Sequence, residues 1–279
     1  MSKTWFITGA SSGLGREMTG QLLARGDKVV GTARRLNALD DLKGRYGDNL
    51  VTLALELTDM RGIRAAVDEA FQRMGRIDVV IQNAGYGLVG AGEEVSDAEL
   101  DRQIATNLIG SIQLIRAVLP YLRKQGGGRV VQVSSEGGQI AYPNFSIYHA
   151  TKWGVEGFIE SVAQETAPFG IDFIIAEPGP TDTGFGANLA HTKPMEEYDK
   201  TPAGDVRRAI TEGTFVLTGD AKRTARAMIA AADEEAPPLR LVLGSTAYNS
   251  ISRALSSRLA LLEAQRAIAF SADKDELSR

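Results

Sequence analysis

The stretch Ile7-Thr8-Gly9-Ala10-Ser11-Ser12-Gly13-Leu14-Gly15 joins an apolar run, Trp5 to Thr8, to a segment with Leu14, Met18, Leu22 and Leu23 at helical spacing. Glycines at a strand-to-helix turn permit positive φ and let the backbone approach a ligand closely. The helix N-terminus behind them offers unpaired N–H groups and partial positive charge, which suits a pyrophosphate. The bland alternative is a tight turn with no ligand. Three glycines between Gly9 and Gly15, directly after the first strand, weigh against it. The spacing is G-x-x-x-G-x-G rather than the general dinucleotide pattern G-x-G-x-x-G.

Outward from that turn, short apolar runs alternate with amphipathic segments. Strands are expected at 5–8, 28–33, 50–55, 77–81, 129–133, 171–176 and 239–243. Helices are expected at 13–25, 36–46, 60–74, 146–169, 221–233 and 247–270. A long helix opens at the capping box Ser96-Asp97-Ala98-Glu99 and ends near Gln125, with a kink expected at Pro120. This alternation predicts βαβ units, a parallel sheet, and helices on both faces: a doubly wound α/β fold in a single domain over 1–279. The stretch 178–218 lacks periodicity and is rich in Gly, Pro, Thr and Asn. A segment near 181–217 is therefore expected to form a substrate lid.

Composition excludes several classes. The 279 residues contain no cysteine and only two histidines, His149 and His191, so no metal site is expected and no thiol nucleophile exists. Net charge is −4, with no basic surplus for nucleic acid or for a membrane surface. No apolar run reaches the roughly 18 residues of a membrane span. The opening residues are too soon broken for a signal peptide, and the cytoplasm is expected. Lys274-Asp275-Glu276-Leu277 spells a retention signal, but Ser278 and Arg279 follow it, so it reads as chance.

Further motifs stand in register. Gln82-Asn83-Ala84-Gly85 ends the fourth strand, and Asn107 lies in the long helix. Ser134-Ser135 ends the fifth strand, Tyr148-His149-Ala150-Thr151-Lys152 lies in the next helix, and Pro178-Gly179 follows the sixth strand, with Thr181 and Thr183 beyond. Together with the glycine loop they resemble the short-chain dehydrogenase/reductase family over residues 4 to about 183. The resemblance implies a Rossmann-type sheet, a nicotinamide cofactor, an alcohol or carbonyl substrate, and a homodimer or homotetramer.

Tyr148 and Lys152 are four apart and share a helix face. A tyrosine with its ordinary pKa near 10 is a poor base at neutral pH, and an ammonium about 4 Å away favours the phenolate. The reading is Tyr148 as acid/base and Lys152 lowering its pKa. Ser135 holds the substrate oxygen, and Ser134 points to the other face of the strand. The resemblance adds that Lys152 holds the nicotinamide ribose and Asn107 a relay water. A nucleophilic serine finds no acid–His pair. His149, turned about 100° from Tyr148, reads as a packing or subunit-contact residue.

The cofactor site is expected from Gly9, Ser11, Ser12, Gly13, Leu14, Gly15, Asn83, Ala84, Gly85, Pro178, Gly179, Thr181 and Thr183, with Tyr148 and Lys152. At the adenosine end, Ala33 stands where an NAD enzyme usually has Asp, and Arg34 and Arg35 follow. Guanidinium suits a 2′-phosphate, so NADP(H) is expected. Glu56-Leu57 resembles the family's Asp-Val at the adenine; Glu56, Gln82 and Thr181 depart from the family pattern. The function expected is hydride transfer between NADP(H) and a secondary alcohol or ketone. The other readings are a non-catalytic NADP-sensing or scaffold protein on the same fold, and a sugar-nucleotide epimerase or dehydratase. The first need not keep Ser135, Tyr148 and Lys152. The second usually has a different glycine spacing.

Overall fold

The computed structural model describes residues 2–274. Asp275 to Leu277 of the retention-like stretch lie outside them. The chain begins β1 (Thr4–Ile7), α1 (Gly13–Ala24), β2 (Lys28–Ala33), α2 (Asp40–Tyr46), β3 (Leu50–Ala54), α3 (Met60–Met74), β4 (Val79–Gln82) and β5 (Leu88–Val89). It continues with α4 (Asp97–Ile104), α5 (Gly110–Lys124), β6 (Gly128–Val133), α6 (Ser146–Thr166), β7 (Ile171–Pro178), β8 (Thr181–Asp182) and β9 (Ala190–His191). The last elements are α7 (Pro202–Thr211), β10 (Gly219–Asp220), α8 (Ala221–Asp233), β11 (Arg240–Leu243), α9 (Ser245–Ala264) and α10 (Arg266–Phe270).

Seven strands form a parallel sheet in the order β3-β2-β1-β4-β6-β7-β11. The period of two along each strand sorts side chains into two cores. Phe6, Val30, Val80, Val130 and Phe173 face α3, α5 and α6, where they meet Ile63, Leu114 and Val155. Trp5, Ile7, Val29, Ile81 and Ile174 face α1 and α8, where they meet Met18, Leu22 and Met228. The doubly wound single-domain reading therefore holds. Among the described residues no helix is long and apolar enough to cross a membrane.

Three expectations change. The helix opened by the Ser96–Glu99 capping box is irregular at a π turn, Ala105–Ile109, while α5 runs unbroken through Pro120 to Lys124. The expected strand 77–81 shifts to Val79–Gln82; Asp78 just before it still bonds Thr4 and Arg129 through its backbone, and its carboxylate accepts from the Thr4 N–H at 2.9 Å. The stretch 178–218 is not structureless. It holds α7, whose N-cap Thr201 accepts from Ala203 and whose first residue is Pro202. It also pairs β9 with β5 and β10 with β8.

Candidate active site

Strand order reverses between β1 and β4, so the loops after these strands part and leave a crevice at their carboxyl ends. Thr8 ties its floor together. Its hydroxyl donates to Gln82 Oε1 at 2.5 Å and accepts from the N–H groups of Asn83 and Ala84, each at 3.0 Å. Asn83 Nδ2 donates back to the carbonyls of Thr8 and Gly9. Gln82 also donates to Ser111 at 3.1 Å, so the longer side chain at this departure spans two buried hydroxyls. Sequence reasoning passed over Thr8 as a holding residue; a hydroxyl at the end of an apolar strand was its only mark.

The glycine loop is shaped by contact. Gly9 and Gly13 have φ +65° and +52°. A Cβ on Gly15 would stand 2.3 Å from the Gly9 carbonyl oxygen. Ser12 is the N-cap of α1, yet its side chain accepts from none of the helix N–H groups. Ser11, Ser12, Gly13 and Leu14 lie at least partly open to solvent around that first turn. Thr183 arrives over Gly13, its carbonyl 3.5 Å from where a Cβ would be. Thr181 donates to the Gly179 carbonyl at 2.8 Å, and Gly179 donates to Leu243 at 3.0 Å. Pro178 is the last residue of β7.

Beyond the glycine loop, Ala33 is buried and Arg34 and Arg35 are exposed. Neither guanidinium has a carboxylate partner among the described residues, whereas nearby Arg16 pairs with Asp41. The ends of β2 and β3 are adjacent, with Ala33 beside Ala54. Glu56 is exposed and accepts from the Thr58 N–H at 3.4 Å, while Leu57 is buried in the core.

Ser135, Tyr148 and Lys152 converge at the end of β6. The Tyr148 phenol is 8% exposed. Burial pushes its pKa up to about 12; the Ser135 hydroxyl opposes that rise, and Glu136 and Glu156 add to it. Lys152 donates to the Val133 carbonyl at 3.0 Å and lies 5.5 Å from the Tyr148 ring centre. Burial pushes its pKa down to about 8, against the pull of Glu156. This corrects the expectation that Lys152 lowers the tyrosine's pKa in the free chain: desolvation of the buried phenol outweighs it. Ser134 donates to Glu156, two turns along α6 from Tyr148, so it too meets that helix rather than the opposite side of the sheet.

Asn107 sits in the π turn, and its side chain brackets Tyr86, accepting from its N–H at 3.1 Å and donating to its carbonyl at 2.7 Å. It braces the turn beyond Gly85. His149 is buried, with Nδ1 on the Gly137 carbonyl at 2.8 Å and Nε2 accepting from the Tyr142 N–H at 3.2 Å. Burial lowers its pKa, and it packs as a neutral ring.

The wall over Tyr148 is apolar. Phe145 and Val89 pack with it, and Tyr142, Leu189, Val206 and Ile210 lie against them. The Phe185 ring centre is 6.3 Å from that of Tyr148. Phe185 and Leu189 lie in the segment expected as a lid, and Val206 and Ile210 reach the wall from α7, a helix that the sequence pattern does not predict. Just before Tyr148, Asn144 has φ +73°, and both polar atoms of its buried side chain lack a partner among the described residues.

A family profile described as short chain dehydrogenase matches residues 3–194. The chain belongs to the short-chain dehydrogenase/reductase family. This short-chain dehydrogenase is an oxidoreductase, 35% identical over 255 residues to the oxidoreductase BOA17 of Botryotinia fuckeliana, covering 91% of this chain and 93% of that one. It is 37% identical over 182 residues to a 3-ketodihydrosphingosine reductase of Bacteroides thetaiotaomicron, covering 65% of each. A short-chain dehydrogenase from Streptomyces avermitilis has the same fold at a TM-score of 0.90 and 38% identity, with 98% of both chains covered. One from Burkholderia cenocepacia, in complex with NADP, superposes at 0.73 and 24% identity, covering 95% of this chain and 97% of that one.

Proposed function

We propose that this short-chain dehydrogenase transfers a hydride between NADP(H) and a ketone or secondary alcohol with an apolar flank, and that Tyr148 exchanges the proton. The observation that carries the reading is the buried phenol of Tyr148, protonated at neutral pH, set between Ser135 and Lys152 at the crevice.

The glycine loop fits a dinucleotide's phosphates. Side chains are absent where the backbone must come close, and the N-terminal turn of α1 offers N–H groups that Ser12 does not cap. Gly9, Ser11, Ser12, Gly13, Leu14 and Gly15 would hold the pyrophosphate. Asn83, Ala84 and Gly85, with Pro178, Gly179, Thr181 and Thr183, would flank the nicotinamide half. Glu56 and Leu57 would border the adenine, and Arg34 and Arg35 would meet a 2′-phosphate. The nicotinamide, when bound, supplies or accepts the hydride.

The chain's own groups handle the proton. Ser135 positions the substrate oxygen, and Tyr148 donates to it as negative charge develops there. The phenolate left behind faces Lys152. Asn107 supports the relay by fixing the turn at Tyr86. The protonated phenol is the form that carbonyl reduction requires. The apolar wall of Tyr142, Phe145, Leu189, Val206 and Ile210 favours a ketone with a hydrocarbon flank. The Bacteroides relative, named for 3-ketodihydrosphingosine, is consistent with that class.

The test is a panel of aliphatic and aromatic ketones read by loss of NADPH absorbance. Turnover is expected, and Tyr148→Phe should lower kcat at least about a hundredfold with cofactor affinity nearly unchanged. Turnover of no ketone would favour a non-catalytic NADP-binding role; a fully active Tyr148→Phe would remove the tyrosine from the mechanism.

A further inference from the structure

The loop carrying Ser135 leaves β6 at Ser134, makes one 3-10 turn over Glu136–Gly138, and passes Gln139. Both ends rest on buried carboxylates. The Ser134 hydroxyl donates to Glu156 Oε1 at 2.5 Å, and Gln139 Nε2 donates to Glu177 Oε2 at 2.6 Å. Glu156, on α6, is 2% exposed, and Glu177, on β7, is fully buried. One guanidinium joins them: Arg240, the first residue of β11, donates to Glu156 Oε2 at 2.7 Å and also pairs with Glu177. Its outer edge meets Glu160 at 2.7 Å.

The middle of the loop lies directly on α6. A Cβ on Gly138 would fall 1.7 Å from Glu156 Oε1, and one on Gly137 would fall 2.8 Å from the His149 ring. The Glu156 carboxylate has no room to yield, since Ser134 holds one oxygen and Arg240 the other. Inside the loop, the Gly137 N–H donates to Ser135 Oγ at 3.1 Å, so the serine hydroxyl is oriented by the backbone it sits on.

Two carboxylates buried around one arginine are costly to desolvate, and such clusters are weak sources of stability; what they can supply is a fixed arrangement. None of these side chains is hydrogen-bonded to Ser135, Tyr148 or Lys152, although the Glu156 charge is felt by Tyr148 and Lys152. What they fix is the loop. We propose that Glu156 and Ser134 are positioning residues for Ser135: the Glu156–Arg240–Glu177 cluster anchors loop 134–139 and so sets where the Ser135 hydroxyl stands relative to Tyr148. The proposal deepens the reading above and rests on it for Ser135 as partner of the substrate oxygen.

Ser134→Ala removes one hydroxyl and leaves every Arg240 pair in place. Glu156→Gln keeps the shape and removes the charge. Hydrogen exchange of the peptide covering 134–140 should quicken at least about tenfold in both, while a β4 peptide stays unchanged. With a ketone that the wild type reduces, kcat should fall about tenfold with cofactor Kd unmoved, since small misplacements of a reacting group are expensive. In a Ser135→Ala background Ser134→Ala should cost nothing further, because its effect passes through Ser135, whereas Glu156→Gln also removes a charge felt by Tyr148 and Lys152. Unchanged exchange at 134–140 overturns the anchor. An undiminished kcat loss from Ser134→Ala in the Ser135→Ala background overturns its action through Ser135. Normal turnover by Ser135→Ala alone overturns the underlying reading of that serine, and the exchange data then judge the anchor by themselves. Should Glu156→Gln not fold, Ser134→Ala carries the test.

Discussion

Lys152 donates a hydrogen bond from its ammonium to the carbonyl of Val133, at 3.0 Å, two residues before Ser135. The bond fastens α6 to the end of β6 and draws the ammonium out of water. In the folded chain Lys152 titrates near 8, against 10.5 for a free side chain.

That depression has a sign in stability. Between about pH 8 and pH 10 the unfolded chain binds a proton at Lys152 that the folded chain does not. Stability therefore rises with pH across this window on account of Lys152. Tyr148 acts the other way and later: its folded pKa is raised, so its contribution is present below pH 10 and is lost as pH climbs toward 12. Lys152→Met should raise Tm more at pH 7.5 than at pH 10. Thermal melts of both proteins at the two pH values check this; a Tm difference independent of pH would contradict it.

The arginines after β2 predict the cofactor. Ala33 offers no carboxylate to ribose hydroxyls, and Arg34 and Arg35 stand exposed without acidic partners. One charge-assisted hydrogen bond contributes about 1.5–3 kcal/mol, or roughly ten- to hundredfold in affinity. NADP(H) should bind that much more tightly than NAD(H), and less so at high salt. Replacing Ala33 with Asp and Arg34 with Ser should invert the order. Fluorescence titration of both cofactors decides it, and equal affinities would reduce the arginines to solvated surface.

Gly15→Ala should be severe for its size. The added methyl meets the Gly9 carbonyl at 2.3 Å and Asn83 Nδ2 at 2.5 Å, both part of the tie between the loops after β1 and β4. Overpacking of this kind costs about 1–3 kcal/mol. Tm should drop, and cofactor affinity should fall at least about tenfold as the loop is displaced. An unshifted titration curve would mean that the turn yields without changing the cradle.

The segment 181–217 is proposed to act as a lid, and Glu94 is its anchor. Glu94 is buried, accepts from the Met195 N–H at 2.9 Å, and pairs with Arg207 at 2.5 Å. Breaking a buried pair by removing one partner costs about 3–5 kcal/mol. Glu94→Ala should loosen 190–210 and raise KM for the ketone while leaving cofactor Kd alone. In the wild type, bound cofactor and substrate should slow hydrogen exchange across 181–217. Identical exchange in free and bound protein would make the segment an ordinary surface loop.

Legibility in the sequence followed the range of the interactions. α8 appears over the span expected, since its apolar stripe and its cap Asp220 are local signals. Tyr148 and Lys152 were legible as a pair because helical spacing alone puts them on one face. Their electrostatics were not, because the acceptor of the Lys152 hydrogen bond is the Val133 carbonyl, nineteen residues back in the chain on another element. The π turn at Asn107 has no local mark. α7 did have one, the Thr201-Pro202 start, but ten residues with no strong apolar run around them read as loop. Arg240 and Glu156, 84 positions apart, meet only because β11 lies beside β7.

Asn144 has a consequence for how this protein can be changed. It is the only non-glycine residue with positive φ among those described, and its buried amide lacks a partner there too. The strain of a left-handed backbone and the cost of an unsatisfied amide are each removed by glycine, which takes the same φ with no side chain to strain or to bury. Selection for heat resistance alone would find that substitution early. The asparagine thus marks a place, four residues ahead of Tyr148, where hardening the scaffold and preserving its chemistry are separate objectives.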